Sequence, residues 1–115
     1  MPGPIKHFQL RMNNTSGSKA FYENVFGWSI NLSGTAGCWE IKDSTGSVIG
    51  ELQEAGPRTS AAIIPFFEVG SLANAITAVN NNDGLVLSQG NNTPVLNHGH
   101  AFIKDYEGCV LAIFQ

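Results

Sequence analysis

The sequence predicts a single α+β domain of two tandem βαβββ modules, residues 1–55 and 61–115. Three observations carry this. Each half reads as a strand, an amphipathic helix and three short strands. Between the halves lies a small, polar, proline-containing break, Ala55-Gly56-Pro57-Arg58-Thr59-Ser60. The stretch EIKDSTGSVIGELQ from Glu40 also aligns without a gap on FIKDYEGCVLAIFQ from Phe102, an offset of 102 minus 40, or 62. Ile, Lys, Asp, Gly, Val and the final Gln coincide, and identities flanking the turn as well as inside it point to duplication of a whole unit.

The first strand is IKHFQLRM, Ile5 to Met12, with Phe8, Leu10 and Met12 alternating against His7, Gln9 and Arg11. That period of two marks a half-buried strand. Asn13-Asn14-Thr15-Ser16 offers capping oxygens for a helix carrying Phe21, Tyr22, Val25 and Phe26, and Gly27 is a natural left-handed stop. Three strands follow, WSINLS, GCWEIKD and GSVIGELQ, the last two joined by a tight turn at Asp43-Ser44-Thr45-Gly46.

In the second half a strand over Ala62 to Val69 precedes a helix capped by Ser71. Leu72, Ala75, Ile76 and Val79 fall at i, i+3, i+4 and i+7, and Asn80-Asn81-Asn82-Asp83-Gly84 ends it. A short strand from Leu85 to Gln89, a loop through Asn91-Asn92-Thr93-Pro94, and a closing hairpin of HGHAFIKD and GCVLAIFQ complete the unit.

With 43% of its 115 residues hydrophobic, the chain has enough apolar material for one core. Charged residues are 13%, and the net charge of -3 is scattered, so neither nucleic acid nor an acidic membrane surface is an expected partner. No apolar run of signal-peptide or membrane-spanning length is evident, which predicts a cytoplasmic protein. Cys38 and Cys109 have no CxxC spacing and fall in predicted strands, where two buried free thiols are expected.

The segment HFQLRMNNTSGSKAFYENVFGW sets a strand histidine before a helix that carries Ala-Phe-Tyr and ends in Val-Phe-Gly-Trp. This resembles the opening of glyoxalase-type proteins. IIPFFEV, the SLANAITAV helix and the closing IKDYEGCVLAIFQ hairpin extend the likeness over nearly the whole chain. The sequence thus resembles the glyoxalase / bleomycin resistance protein / extradiol dioxygenase (vicinal oxygen chelate) superfamily, in its lactoylglutathione-lyase-related branch. The resemblance implies a glyoxalase-like fold, a cupped mixed sheet with helices on the outer face. Strand parity then turns His7, Gln9 and Arg11 into the cup.

Metal-using members of that superfamily hold a divalent ion with up to four side chains, from the first and last strand of each module. Carried onto this chain, the first position is His7, a competent imidazole ligand. The matching position of the second module is Ile64 and its closing-strand position is Ala112, neither with a lone pair to give. In the first module the same count lands on Gly50, unless a bulge shifts the register and brings Glu51 there. One histidine and one carboxylate fall short of the three protein ligands of a catalytic site, so no metal and no other cofactor is expected. His98 and His100 read as solvated or strand-edge histidines.

Arg11 and Glu68 are expected to face the cup, where they orient a ligand, with pairing to each other or contact with water at the rim as the alternative. Trp39 and Phe66 are candidate flat walls, with core packing as the equal alternative. No GxSxG motif or other nucleophile setting is present. The expected function is metal-free binding of a small organic ligand in a cavity lined by His7, Gln9, Arg11, Trp39, Glu51, Phe66 and Glu68, with a homodimer as the expected assembly because short open-edged strands invite symmetric pairing. The alternative is a metal-dependent lyase, isomerase or dioxygenase related to lactoylglutathione lyase.

Overall fold

The computed structural model describes residues 5–55 and 61–115. The elements run β1 (Ile5–Met12), α1 (Thr15–Phe26), β2 (Ser29–Leu32), β3 (Cys38–Lys42), β4 (Val48–Glu54), β5 (Ala62–Glu68), α2 (Leu72–Asn81), β6 (Leu85–Gly90), β7 (His100–Lys104) and β8 (Val110–Phe114). The order is βαβββ twice, the α+β class predicted. Most of the break predicted between the modules, residues 56–60, lies outside the described residues. The chain divides into two compact units, Phe8–Ile63 and Met1–His7 with Ile64–Gln115. No helix among the described residues is long and apolar enough to cross a membrane.

In the Phe8–Ile63 unit the strand order is β2-β3-β4-β1, antiparallel except for the parallel pairing of β1 with β4. Leu10, Ile30, Ile41 and Leu52 are buried together on one face, with Phe8, Met12, Tyr22, Trp28 and Trp39 packed around them. Helix α1 covers that face. Its start is capped by the Asn14 side chain, which accepts from the Gly17 N–H at 3.0 Å, and its end by Gly27 at φ 71°. Glu23 ties the helix to the sheet by accepting from the Ile30 N–H and from Lys19, both at 3.0 Å. The Ile30 bond, then that of Lys19, hold the Glu23 carboxyl below its ordinary range.

In the other unit the order is β6-β7-β8-β5, again with one parallel pair, β5 with β8. Leu72, Ala75, Ile76 and Val79 of α2 pack on Ala101, Ile103 and Ile113, the helical stripe read from the sequence. The Ser71 hydroxyl caps α2 by accepting from the Asn74 N–H at 3.2 Å. On the opposite face Ile64, Phe66, Ala112 and Phe114 form a second cluster with Leu96, Phe102 and Val110.

The duplication is visible atom by atom in the two hairpin turns. Asp43 Oδ1 accepts from the N–H groups of Thr45 and Ser47, and Asp105 Oδ1 accepts from those of Glu107 and Cys109. Each turn ends in a glycine at positive φ, Gly46 at 85° and Gly108 at 92°. Two expectations are corrected. Cys109 is exposed in the turn before β8 rather than buried in a strand. His100 is buried rather than solvated, because alternation points it with Phe102 into the aromatic cluster around Phe66.

Candidate functional site

The two hairpins part company one residue after the turn. Lys42 pairs with Val48 and Lys104 with Val110, but Ile41 then pairs with Gly50 whereas Ile103 pairs with Leu111. β4 therefore carries one extra residue, a bulge, and from there on each side chain faces opposite to the gap-free alignment. Glu51 stands across from Glu40 at the station where Ala112 stands across from Phe102. The count that landed on Gly50 is corrected by this bulge. Gly50 is tolerated there because a Cβ would come within 2.6 Å of the Phe8 carbonyl oxygen.

With the register corrected, matching stations of the two units carry opposite chemistry. On the face away from its helix, the Phe8–Ile63 unit carries Gln9, Glu51, Gln53 and Cys38. At the same stations the other unit carries Phe66, Ala112, Phe114 and His100. The shared final Gln is a sequence identity only. Gln53 donates to Glu51 at 3.0 Å, while Gln115 accepts from the Leu72 N–H at the start of α2.

The polar face centres on Glu51, fully buried, beside Gln9 at 1% exposure. Gln9 Nε2 donates to Glu51 Oε1 at 2.6 Å, and Gln53 Nε2 donates to the same oxygen. Arg11 Nε donates to Gln9 Oε1. Because a guanidinium has only donors, the Gln9 amide is oriented with its NH₂ toward Glu51, and Glu51 Oε1 is held as an acceptor. Burial lowers the Arg11 guanidinium from its ordinary value and the Glu51 charge works against that drop. Burial likewise pushes the Cys38 thiol up, with Glu51 adding to the effect and Ser33 opposing it. Glu40, the backbone partner of Glu51, has its own cation in Lys42 at 3.5 Å.

In the other unit His7 meets Phe66 edge-on with ring centroids 5.0 Å apart. Phe66 also contacts His100, Phe102 and Phe114. His7 and His100 are 3% and 6% exposed, so both imidazoles belong to an aromatic cluster rather than to solvent. His98 is exposed, its Nδ1 2.9 Å from the Gln115 carbonyl oxygen.

Of the seven residues read as cavity lining, Gln9, Arg11 and Glu51 form one network, and His7 and Phe66 form a ring pair in the other unit. Trp39 is corrected. It pairs with Leu52 and packs with Leu10 on the α1 face, opposite to Glu51, because it is one residue out of phase with Glu40. Glu68 keeps the parity of Phe66 but takes the rim alternative. It lies exposed at the end of β5, where water rather than a buried partner solvates its charge. Gln53 was not singled out, although its place two residues after Glu51 puts it on the same face by strand parity.

The residues do not fit the divalent ion of the metal-using members. Ile64 and Ala112 are 2% and 0% exposed and packed against Phe66 and Phe114, offering hydrocarbon at two of the four positions. Glu51 Oε1 accepts from both Gln9 and Gln53. Among the described residues no three His, Cys, Asp or Glu side chains are grouped to hold a metal. A cavity of about 330 Å³ on the α1 face is lined by Phe8, Leu10, Tyr22, Phe26, Trp28 and Ile63. Among the described residues its walls are aromatic rings and hydrocarbon.

The sequence matches no protein-family model and none of the curated proteins. Solved structures do share the fold. Streptomyces coelicolor methylmalonyl-CoA epimerase in complex with 2-nitronate-propionyl-CoA superposes with a TM-score of 0.67 at 12% identity, covering 99% of this chain and 97% of that one. A hypothetical protein from Bacillus halodurans C-125 gives 0.68 at 13%, covering 97% and 93%. Methylmalonyl-CoA epimerase from Mycobacterium tuberculosis gives 0.61 at 12%, covering 96% and 85%. At these identities the likeness shows the fold, which is glyoxalase-like.

Proposed function

We propose that this chain is a small-molecule-binding protein of the vicinal oxygen chelate superfamily, with its ligand received on the polar face built by Gln9, Arg11, Glu51 and Gln53. The buried Gln9–Glu51 hydrogen bond carries the reading. A carboxylate withdrawn from water is costly unless it is hydrogen-bonded and charge-balanced. The matching stations of the other unit show that this fold accepts phenylalanine and alanine there. Polar groups kept where hydrocarbon serves equally well point to recognition.

The structural neighbours that bind coenzyme A thioesters make acyl thioesters the first ligands to try, followed by small keto acids, thiol adducts and aromatic antibiotics. The metal-dependent alternative is not favoured, since two of its four positions are hydrocarbon. A homodimer remains the proposed assembly, tested by size exclusion with light scattering.

The functional test is a thermal-shift screen of these compounds against the full chain and against Glu51→Gln and Gln9→Leu variants. A ligand at 100 times its Kd stabilises by about 2.7 kcal/mol, an easily read shift. At least one compound class is expected to raise the midpoint, with the effect lost in both variants. No shift from any class at millimolar concentration, or a shift that both variants keep, overturns the proposal.

A further inference from the structure

We infer that Arg11 is the resident cation of this site: acting through Gln9, it supplies the positive charge that answers the buried Glu51 carboxylate. Two features of the chain converge on it. Glu51 is fully buried at the bulged β4 station, so its charge needs a partner inside the protein. Arg11 reaches it by a continuous donor-to-acceptor chain, guanidinium to Gln9 carbonyl and Gln9 amide to Glu51, with Gln53 as a second donor.

The charge count is consistent from each strand beside β4. β1 contributes Arg11. β3 contributes Glu40, balanced by Lys42, and the Cys38 thiol. Arg11 is therefore the cation that β1 sets beside the buried Glu51 carboxylate. Arg11 is a positioning residue in this account: it fixes the direction of the Gln9 amide, and so the acceptor character of Glu51 toward a ligand. The inference rests on the reading of this face as the binding face, but its test needs no ligand, so the two fail separately.

The test has two arms on the full chain. Calorimetric titration with Mn²⁺, Ni²⁺ and Zn²⁺ is expected to show no stoichiometric site in the native protein. Binding of one ion per chain that Glu51→Gln abolishes overturns the inference. The second arm is a stability cycle of Arg11→Met, Glu51→Gln and the double variant. Arg11→Met alone leaves a buried charge without its cation and is expected to lower the melting midpoint by about 5 °C or more. Adding Glu51→Gln removes that charge, and the double variant is expected to regain most of the loss. A purely structural role for the Arg11 stem makes the two effects additive. A double variant as unstable as Arg11→Met, or one that fails to fold, counts against a charge-balancing arginine.

Discussion

Glu51 and Ala112 occupy the same station in their two hairpins, the one opposite Glu40 and the other opposite Phe102, although a gap-free alignment sets Glu51 beside Ile113. A single extra residue in β4 makes the difference. It turns the carboxylate onto the face that Gln9 and Gln53 share, and turns Leu52 onto the α1 core.

The close approach of β1 to β4 depends on a residue without a side chain at Gly50. Gly50→Ala places a methyl 2.6 Å from the Phe8 carbonyl oxygen and 3.0 Å from the Phe8 ring. Overpacking of this kind costs about 2 kcal/mol, more if the pairing of β1 with β4 has to part. Urea unfolding is expected to show a lower midpoint with an unchanged slope, and an unaltered midpoint would show that the strands have room to separate.

Phe66 is the hub of the second aromatic cluster, touching His7, His100, Phe102 and Phe114. Phe66→Ala is expected to destabilise by about 3–5 kcal/mol, and Phe66→Leu by about 1.5 kcal/mol or less. Chemical denaturation of the two variants checks the ratio. Equal losses would mean that ring contacts, not buried volume, hold the cluster.

The Asp43 carboxyl sits below its ordinary range because the Thr45 hydroxyl donates to it, joined by the N–H groups of Thr45 and Ser47. Its folded value is thus depressed relative to the unfolded chain. The stability it contributes is present above the unfolded value and lost as pH falls through the folded one. The midpoint advantage of the native protein over Asp43→Ala is expected to be level from neutral pH down to about 5 and to shrink below about 4. Melting both across that range tests it, and a gap that stays constant into acid contradicts the assignment.

The two thiols differ in reach. Cys109 is exposed, while Cys38 is buried and its thiol is pushed up. A thiol reagent at neutral pH is expected to modify Cys109 rapidly in the folded protein and Cys38 only after denaturant is added. Mass spectrometry of the labelled peptides reads this directly, and fast labelling of Cys38 without denaturant would show that the polar face opens in solution.

The outline of the fold was legible in the residues themselves. Alternation in Ile5 to Met12, the α2 stripe from Leu72 to Val79, the capping Asn14 and Ser71, and the two Asp-x-x-Gly turns each report a local preference, set by backbone geometry within a few residues. The parity of β1 placed Gln9 on the face that meets Glu51. For Trp39 and Glu68 the sequence left two readings open, and the pairing decided between them. Trp39 is one residue out of phase with Glu40, and Glu68 falls at the exposed end of its strand, where alternation no longer means burial.

The sequence by itself determined the elements, their order and their duplication, because periodicity, caps and turns are written over spans of a few residues. Only the tertiary structure decided which face Glu51 takes, that Gln53 joins it, and that His100 is buried. Register is a property of two strands held against each other, and one inserted residue, invisible until pairing is known, reverses the facing of every side chain beyond it.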